Sequence, residues 1–569
     1  MSTKIEVSSD GGENEREPNV AELEGFLRNT KMNSMMKSNH SRHDTRVSKR
    51  FSMIAGEEGL TLFSGILALI STCVGGGIVG LPHAFLYLGI PLAIVLNILV
   101  IISTALTINL YLGIKDAVPD QPESLYELGY MISGRSSIFI IAATMIINSL
   151  GLCMIYFITF GDTMGQLVAS FVDGASLNSD FYTSRYFYIL ILAAFLIAVV
   201  LKKELAELEW LSIVLFVSLG LFILCDVIQL FFDSRFQPAT VEKDFWVPTR
   251  ELDTISALSV TMLAYSYQQN VYLIFSALKT KTNEEYKRVN LYGTMLTACI
   301  YFTLAIVSIF MFGEALDTQV LKNIGEARTA DGKPFWEAYI VQISFSIVLL
   351  CHIPFIFTSG KEGLLIIIDE IMRKSISNAL WHKLQGNEHF NRQTQGLPPP
   401  NPQLAIPGDT EPYAEVLRKS QQLTEANSPL HTEEGTPAEV KQQRMVQSIG
   451  ILSEVPIEEA NRMAYKDMNT VLYVGATLSF YAIIVMGAIA IEDIAIVFDF
   501  AGAIAVSAIA FFFPAHLYPK AINKFNVEKT SEVRMNICLS YFFWVLGAIN
   551  FSLGIFVAIL NIVEGGEGE

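Results

Sequence analysis

The sequence predicts an all-α polytopic membrane protein of about eleven transmembrane helices, arranged as five plus five with the first and sixth broken. Three observations carry this reading. Hydrophobic residues make up 51% of the 569-residue chain and charged residues only 17%, against roughly 25% charged in a soluble protein. From Leu60 onward, apolar runs recur at the length of about twenty residues that crosses a bilayer. Two of those runs are interrupted, one by three glycines and one by adjacent polar side chains.

Residues 1–58 are polar and lack the basic-then-apolar start of a signal peptide, so they are read as a disordered cytoplasmic tail kept in the mature chain. The tail begins acidic and turns basic beside the membrane, where Arg28, Lys31, Lys37, Arg42, Arg46, Lys49 and Arg50 face Asp44 alone. That asymmetry satisfies the positive-inside rule and also suits anionic lipid headgroups.

The expected spans are 61–88, 90–114, 136–169, 186–201, 209–232, 254–278, 289–313, 336–368, 467–491, 494–519 and 534–563. Loops on the side of the N-terminus carry Lys115 and Arg135, Lys202 and Lys203, Lys279 to Arg288, Arg373 and Lys374, and Lys520 to Arg534. Loops on the other side are acidic or mixed, as at Asp173 with Asp180 and Glu492 with Asp493. The alternation places the N-terminus in the cytoplasm and the C-terminus outside or in a lumen. Between the eighth and ninth spans, residues 372–466 are rich in Pro, Gly, Glu, Ser and Thr, a composition read as a disordered cytoplasmic loop.

The first break is Gly75-Gly76-Gly77, inside an otherwise apolar span. Glycine inside a helix costs about 1 kcal/mol relative to alanine. Backbone freed in hydrocarbon is tolerated only where it lines an enclosed cavity. Close helix packing is the plainer use of such glycines. The second break lies in Ala264-Tyr265-Ser266-Tyr267-Gln268-Gln269-Asn270, where a run of polar side chains sits at membrane depth. Interrupted segments at matching places in two halves point to a transporter site. Residues 59–232 and 254–519 then form two five-helix repeats, inverted because each holds an odd number of spans, and 534–563 is an appended eleventh helix.

These stretches resemble the amino acid/auxin permeases, also called the transmembrane amino acid transporter family. The resemblance runs from about Gly59 to Lys520 and skips the long loop. GGGIVGLPHAF (Gly75–Phe85) is similar to the family's glycine-rich first span. The sixth-span stretch with Ala277-Leu278-Lys279, and GAIAVSAIAFFFPAHLYPKAI (Gly502–Ile522), are similar to its sixth and tenth spans. The resemblance implies a leucine-transporter-like fold and cation-driven movement of amino acids.

A zwitterionic substrate needs partners for its carboxylate and its ammonium. The helix end at Gly75, Gly76, Gly77 and Ile78 offers N–H groups for the first. Unpaired carbonyls at Ala264, Tyr265 and Ser266 suit the second, with Tyr267 and Gln268 setting selectivity. A branched side chain at Gly77 is expected to fill the carboxylate position. The coupling ion is a proton or sodium. For sodium, the resemblance points to Ser71 and Val74 in the first span and Ser344 or Ser346 in the eighth. For a proton, the intramembrane ionisable groups are Asp162, Asp226, Asp499, His83, His516 and His352. Of these His352 titrates nearest neutrality, and Gly80-Leu81-Pro82 resembles proton-coupled and vacuolar members. Asp162 and Asp226 lie towards the outer ends of their spans, within reach of water.

Other classes fit less well. The six cysteines form no CxxC or metal-ligand spacing, and no nucleotide loop or nucleophile motif suggests an enzyme or an organic cofactor. A net charge of −17 argues against nucleic acid. The rival function is a sensor that binds an amino acid in the same pocket and signals through its tail or loop. An ion channel is weaker, since no filter motif is visible. The plasma membrane and a vacuole or lysosome remain equal as locations.

Overall fold

The computed structural model describes residues 59–202, 243–326, 336–381 and 468–567 with short gaps inside those ranges, and scattered positions between 217 and 228. The expected tail 1–58, nearly all of the loop 372–466, most of the fifth run 209–232, Gly76 and Asp226 lie outside the described residues. Within them the chain is all helical, apart from one isolated backbone bridge between Leu60 and Leu278.

The first apolar run forms two helices, α1 (Leu62–Cys73) and α2 (Gly77–Leu88). Thr61 starts α1 by accepting the Ser64 N–H. At the glycines the chain bends by 68° into α2. Gly89, at φ +69°, then turns it into α3 (Ile90–Ala117). The third run is α5 (Ser136–Ala169), with the limits expected from sequence. It follows a short helix, α4 (Leu125–Ser133), which hydropathy alone does not reveal. The fourth is the short α6 (Arg185–Val200).

The sixth run is also divided, into α7 (Glu251–Ala264) and α8 (Val271–Ala277), with a 3₁₀ turn at Gln268–Asn270 between them. Then follow α9 (Asn283–Phe312), the short α10 (Val320–Glu326) and α11 (Trp336–Met372). The last spans are α12 (Thr470–Ala490), α13 (Ile494–Ala501), α14 (Phe513–Lys524) and α15 (Ser531–Glu567). Among the described residues, seven helices can each cross a membrane by length and apolarity, with Ile494–Lys524 counted as one, and the bent α1–α2 pair makes an eighth.

The tenth run is not the regular helix its sequence suggests, because residues Gly502–Phe512 between α13 and α14 wind as a π-helix. Neighbours hold its carbonyls. Tyr111 donates to Ile509 O at 2.6 Å, and Asn550 donates to Gly502 O at 3.2 Å. In hydrocarbon such partners replace water.

The two broken runs lie antiparallel. At one end Leu60 donates to Ala277 O and accepts from Lys279 N, both at 2.9 Å. Further along, a Cβ built on Gly77 would stand 2.8 Å from the Ala264 Cα, and one on Gly80 would stand 3.2 Å from Val260. The start of the first run thus meets the end of the sixth, and their breaks face each other.

Candidate functional site at the paired breaks

The glycines of the first break have different neighbours. Gly75 looks across at α5 and α11. A side chain there would collide with the Tyr156 hydroxyl and come within 3.3 Å of His352 Nδ1. Tyr156 Oη and His352 Nδ1 are themselves 3.5 Å apart, and the histidine ring also meets the Ser71 main chain. Gly77 instead presses on α7 at Ala264. A valine at Gly77 therefore meets the sixth run first in this conformation. Ile78 is buried, and its N–H is engaged at 3.2 Å by the Gly75 carbonyl.

Tyr301 of α9 joins the two breaks. Its hydroxyl shares its proton between Cys73 O at 2.9 Å and Ala264 O at 3.1 Å, the last carbonyls of α1 and α7. Its ring packs edge-on against Tyr265 at 5.3 Å. The Ala264 carbonyl, expected to receive a substrate ammonium, therefore carries a tyrosine proton in this conformation. The Tyr265 carbonyl accepts the Tyr267 N–H at 3.2 Å, and the Ser266 N–H bonds Leu263 O at 3.1 Å.

The side chains of the second break divide into committed and uncommitted. Tyr267 donates to Asn290 and lies 2.6 Å from the Thr294 hydroxyl, both on α9, so it anchors the break to a neighbouring span. Gln269 accepts from Asn148 of α5 at 3.0 Å. Tyr265 is fully buried, yet among the described residues its hydroxyl has no hydrogen-bond partner. Gln268 Oε1 is likewise unpaired, while its amide reaches Thr104 at 3.5 Å. A buried polar atom without a partner costs about 1–3 kcal/mol, and such atoms at a backbone break are the groups a polar ligand would satisfy.

The ion-coupling candidates scatter. The Ser71 hydroxyl turns back onto Ala68 O at 2.8 Å. Val74 is buried and donates its N–H to Ile70 O. Ser344 and Ser346 are buried on α11, the latter with an unpartnered hydroxyl. His352 belongs with Gly75. Asp162 does not reach water as its place near a span end suggests. It is 1% exposed, between Arg185 at 3.7 Å and Lys322 at 3.5 Å. Both cations come from other elements, which is why the sequence alone leaves this carboxylate looking solvated. Tyr156, Tyr301, Arg185 and Lys322 are the functional or supporting residues that sequence reasoning missed. The only signal for the tyrosines is a phenol at membrane depth.

A cavity of about 270 Å³ lies between α2 and α7, the two segments that leave the breaks towards the same end of the bundle. Gly80, His83, Ser256, Val260, Asp493 and Asn561 are among its lining residues, so it is polar on one side.

The described chain is thus a helical membrane protein in which two broken apolar runs lie antiparallel and are stapled together at their breaks. The sequence profile of the transmembrane amino acid transporter protein family matches residues 58–560, and the chain belongs to that family. The match continues into α15, beyond the Lys520 limit of the motif resemblance. Among its relatives is the amino acid transporter AVT6E of Arabidopsis thaliana, 24% identical over 54% of this chain and 63% of the relative. Vacuolar amino acid transporter 5 of Saccharomyces cerevisiae is 22% identical over 45% of this chain and 58% of its own length. Vacuolar amino acid transporter 6 of the same yeast is 21% identical over 51% and 64%. Each match thus spans less than two thirds of the relative.

Proposed function

We propose that this protein carries amino acids across a membrane by alternating access, driven by a proton gradient, with the substrate held between the two breaks. The observation that carries the reading is the antiparallel crossing at Gly77 and Ala264, with the uncommitted Tyr265 hydroxyl and Gln268 Oε1 beside it. In this reading the N-terminal end of α2 receives the carboxylate. The Cys73 and Ala264 carbonyls receive the ammonium when Tyr301 yields them. The cavity between α2 and α7 is the route from one side, and the two five-helix repeats rock about the crossing. The leucine-transporter-like arrangement of eleven helices is part of the proposal, supported by the placement of the breaks and by the span limits.

A proton suits the site better than sodium. Sodium would need several oxygens together, while the Ser71 hydroxyl is spent on its own helix and Val74 contributes no side-chain oxygen. Two of the relatives are named vacuolar. We therefore place this protein in the membrane of an acidic compartment, with its N-terminus in the cytoplasm on the charge pattern.

The test is uptake of a radiolabelled mixture of the common amino acids into proteoliposomes, with proton and sodium gradients imposed separately. Accumulation under the proton gradient alone is expected. Accumulation under sodium alone overturns the ion assignment. Amino acid binding without accumulation under either gradient overturns transport and restores the sensor reading.

A further inference from the structure

We propose that Asp499 is the residue that takes up and releases the coupled proton; the inference rests on the proton-driven reading above. Asp499 sits on α13 and is fully buried. Ser256 of α7 donates to its Oδ1 at 2.8 Å, and Asn561 of α15 donates to its Oδ2 at 3.0 Å. Among the described residues no basic side chain pairs with it. Other buried carboxylates have cations beside them: Asp162 has Arg185 and Lys322, Glu370 has Arg135 and Asp369 has Arg373. A buried carboxylate held only by neutral groups gains little from its charge, because removing it from water costs several kcal/mol that no opposite charge repays.

The two partners suit a group that changes protonation. A serine hydroxyl both donates and accepts, whereas an amide NH₂ only donates. With Asp499 ionised, Ser256 donates to it, as in this structure. With Asp499 protonated, its O–H donates to Ser256 while Asn561 still donates to the other oxygen. In both states each carboxyl oxygen of Asp499 keeps a hydrogen bond.

Access and coupling follow from position. Ser256 and Asn561 also line the cavity between α2 and α7, as does the exposed Asp493 that caps α13. Asp493 precedes Asp499 by six residues, about 9 Å along a helix. A proton from water on that side thus has a short polar route, and in the opposite conformation the same proton leaves to water on the other side. Ser256 stands eight residues before Ala264, about 12 Å along one rigid helix from the break. On the other side, the Asp499 carbonyl accepts the Gly502 N–H where α winding passes into π winding. Changing the charge on Asp499 therefore acts at a joint between the tenth run and the first half of the sixth.

The charged and titratable neighbours are few. Asp493 lies on the same helix, and His83 of α2 lines the cavity. Asp162 of α5 is matched by Arg185 and Lys322. Asp317, next to the cavity-lining Thr318, pairs with Lys322 at 3.9 Å, and the described side chains of 254–264, 502–512 and 547–563 contribute no charged or titratable group.

The experiment uses proteoliposomes of the full-length protein and the labelled amino acid mixture. For Asp499→Asn the expected result is loss of accumulation under a proton gradient, down to simple equilibration. Exchange of internal for external amino acids at equal pH should persist. Asp499→Glu should recover part of the accumulation. Gradient-driven accumulation by Asp499→Asn at the wild-type level overturns the assignment. Loss of both accumulation and exchange in the Asn and Glu variants alike also overturns it, by marking a purely structural residue. If the wild-type protein fails to accumulate under a proton gradient, proton coupling itself falls, and this assignment with it.

Discussion

The hydroxyl of Tyr301 lies 2.9 Å from the carbonyl oxygen of Cys73, across 228 residues of sequence. The same hydroxyl reaches Ala264 at 3.1 Å, so one phenol closes the ends of two broken helices. Tyr301→Phe removes the proton and keeps the ring against Tyr265. Interhelical hydrogen bonds in membranes average about 0.6 kcal/mol and reach about 1.7. We expect a fall of that order in the stability of the purified protein, read by thermal unfolding.

Gly75 and Gly77 should respond differently to a side chain. Gly75→Ala meets the far end of the Tyr156 side chain and not main chain, so uptake should fall with little loss of stability. Tyr156→Phe in the same chain should restore part of it by removing the colliding oxygen. Gly77→Val meets the backbone of Ala264 and should lose stability together with uptake, by about 1–3 kcal/mol for an overpacked contact. Equal melting temperatures for the two single variants would contradict this division.

The Asp162 cluster is a stability element. Arg185 is 6% exposed on its side chain, whereas Lys322 is 25% exposed. Breaking a buried pair costs about 3–5 kcal/mol because it strands a charge. Arg185→Met should therefore lower the melting temperature more than Lys322→Met. Adding Asp162→Asn to Arg185→Met should recover much of the loss. The arginine also donates to Ile491 O at 2.9 Å, so its removal frees the end of α12 as well.

Asn550→Leu tests the π-helix. The amide donates to Gly502 O and to the Ser507 hydroxyl at 2.8 Å. Its loss should cost about 1 kcal/mol and speed amide exchange selectively across residues 502–512. Unchanged exchange there would show that the π winding stands without its cap.

Much of the architecture was legible because hydrocarbon imposes a length and forbids unpaired backbone. The third span ends where hydropathy places it, and both breaks fall where glycine or adjacent amides defeat a regular helix. The site was legible only in outline. Tyr267 looks like a selectivity residue by its place in the break, yet Asn290 and Thr294 hold it, and nothing local announces them. Asp162 looks wet because its cations lie on α6 and α10. The π-helix is hidden because its carbonyl partners, Tyr111 and Asn550, lie on distant spans. Asp499 was visible as an intramembrane acid, but only its neutral neighbours set it apart from Asp162.

The bridge between Leu60 and Leu278 is made of main-chain groups alone. Side-chain replacement at Leu60 or Leu278 leaves the seam's bonds in place, whereas a side chain at Gly59, at φ +103°, would press on the Ala277 carbonyl that closes it. Proline at Leu60 or Lys279 deletes a donor and unzips one of its two bonds. Evolution can thus retune every residue around the breaks while the fastening between the two runs goes unchanged.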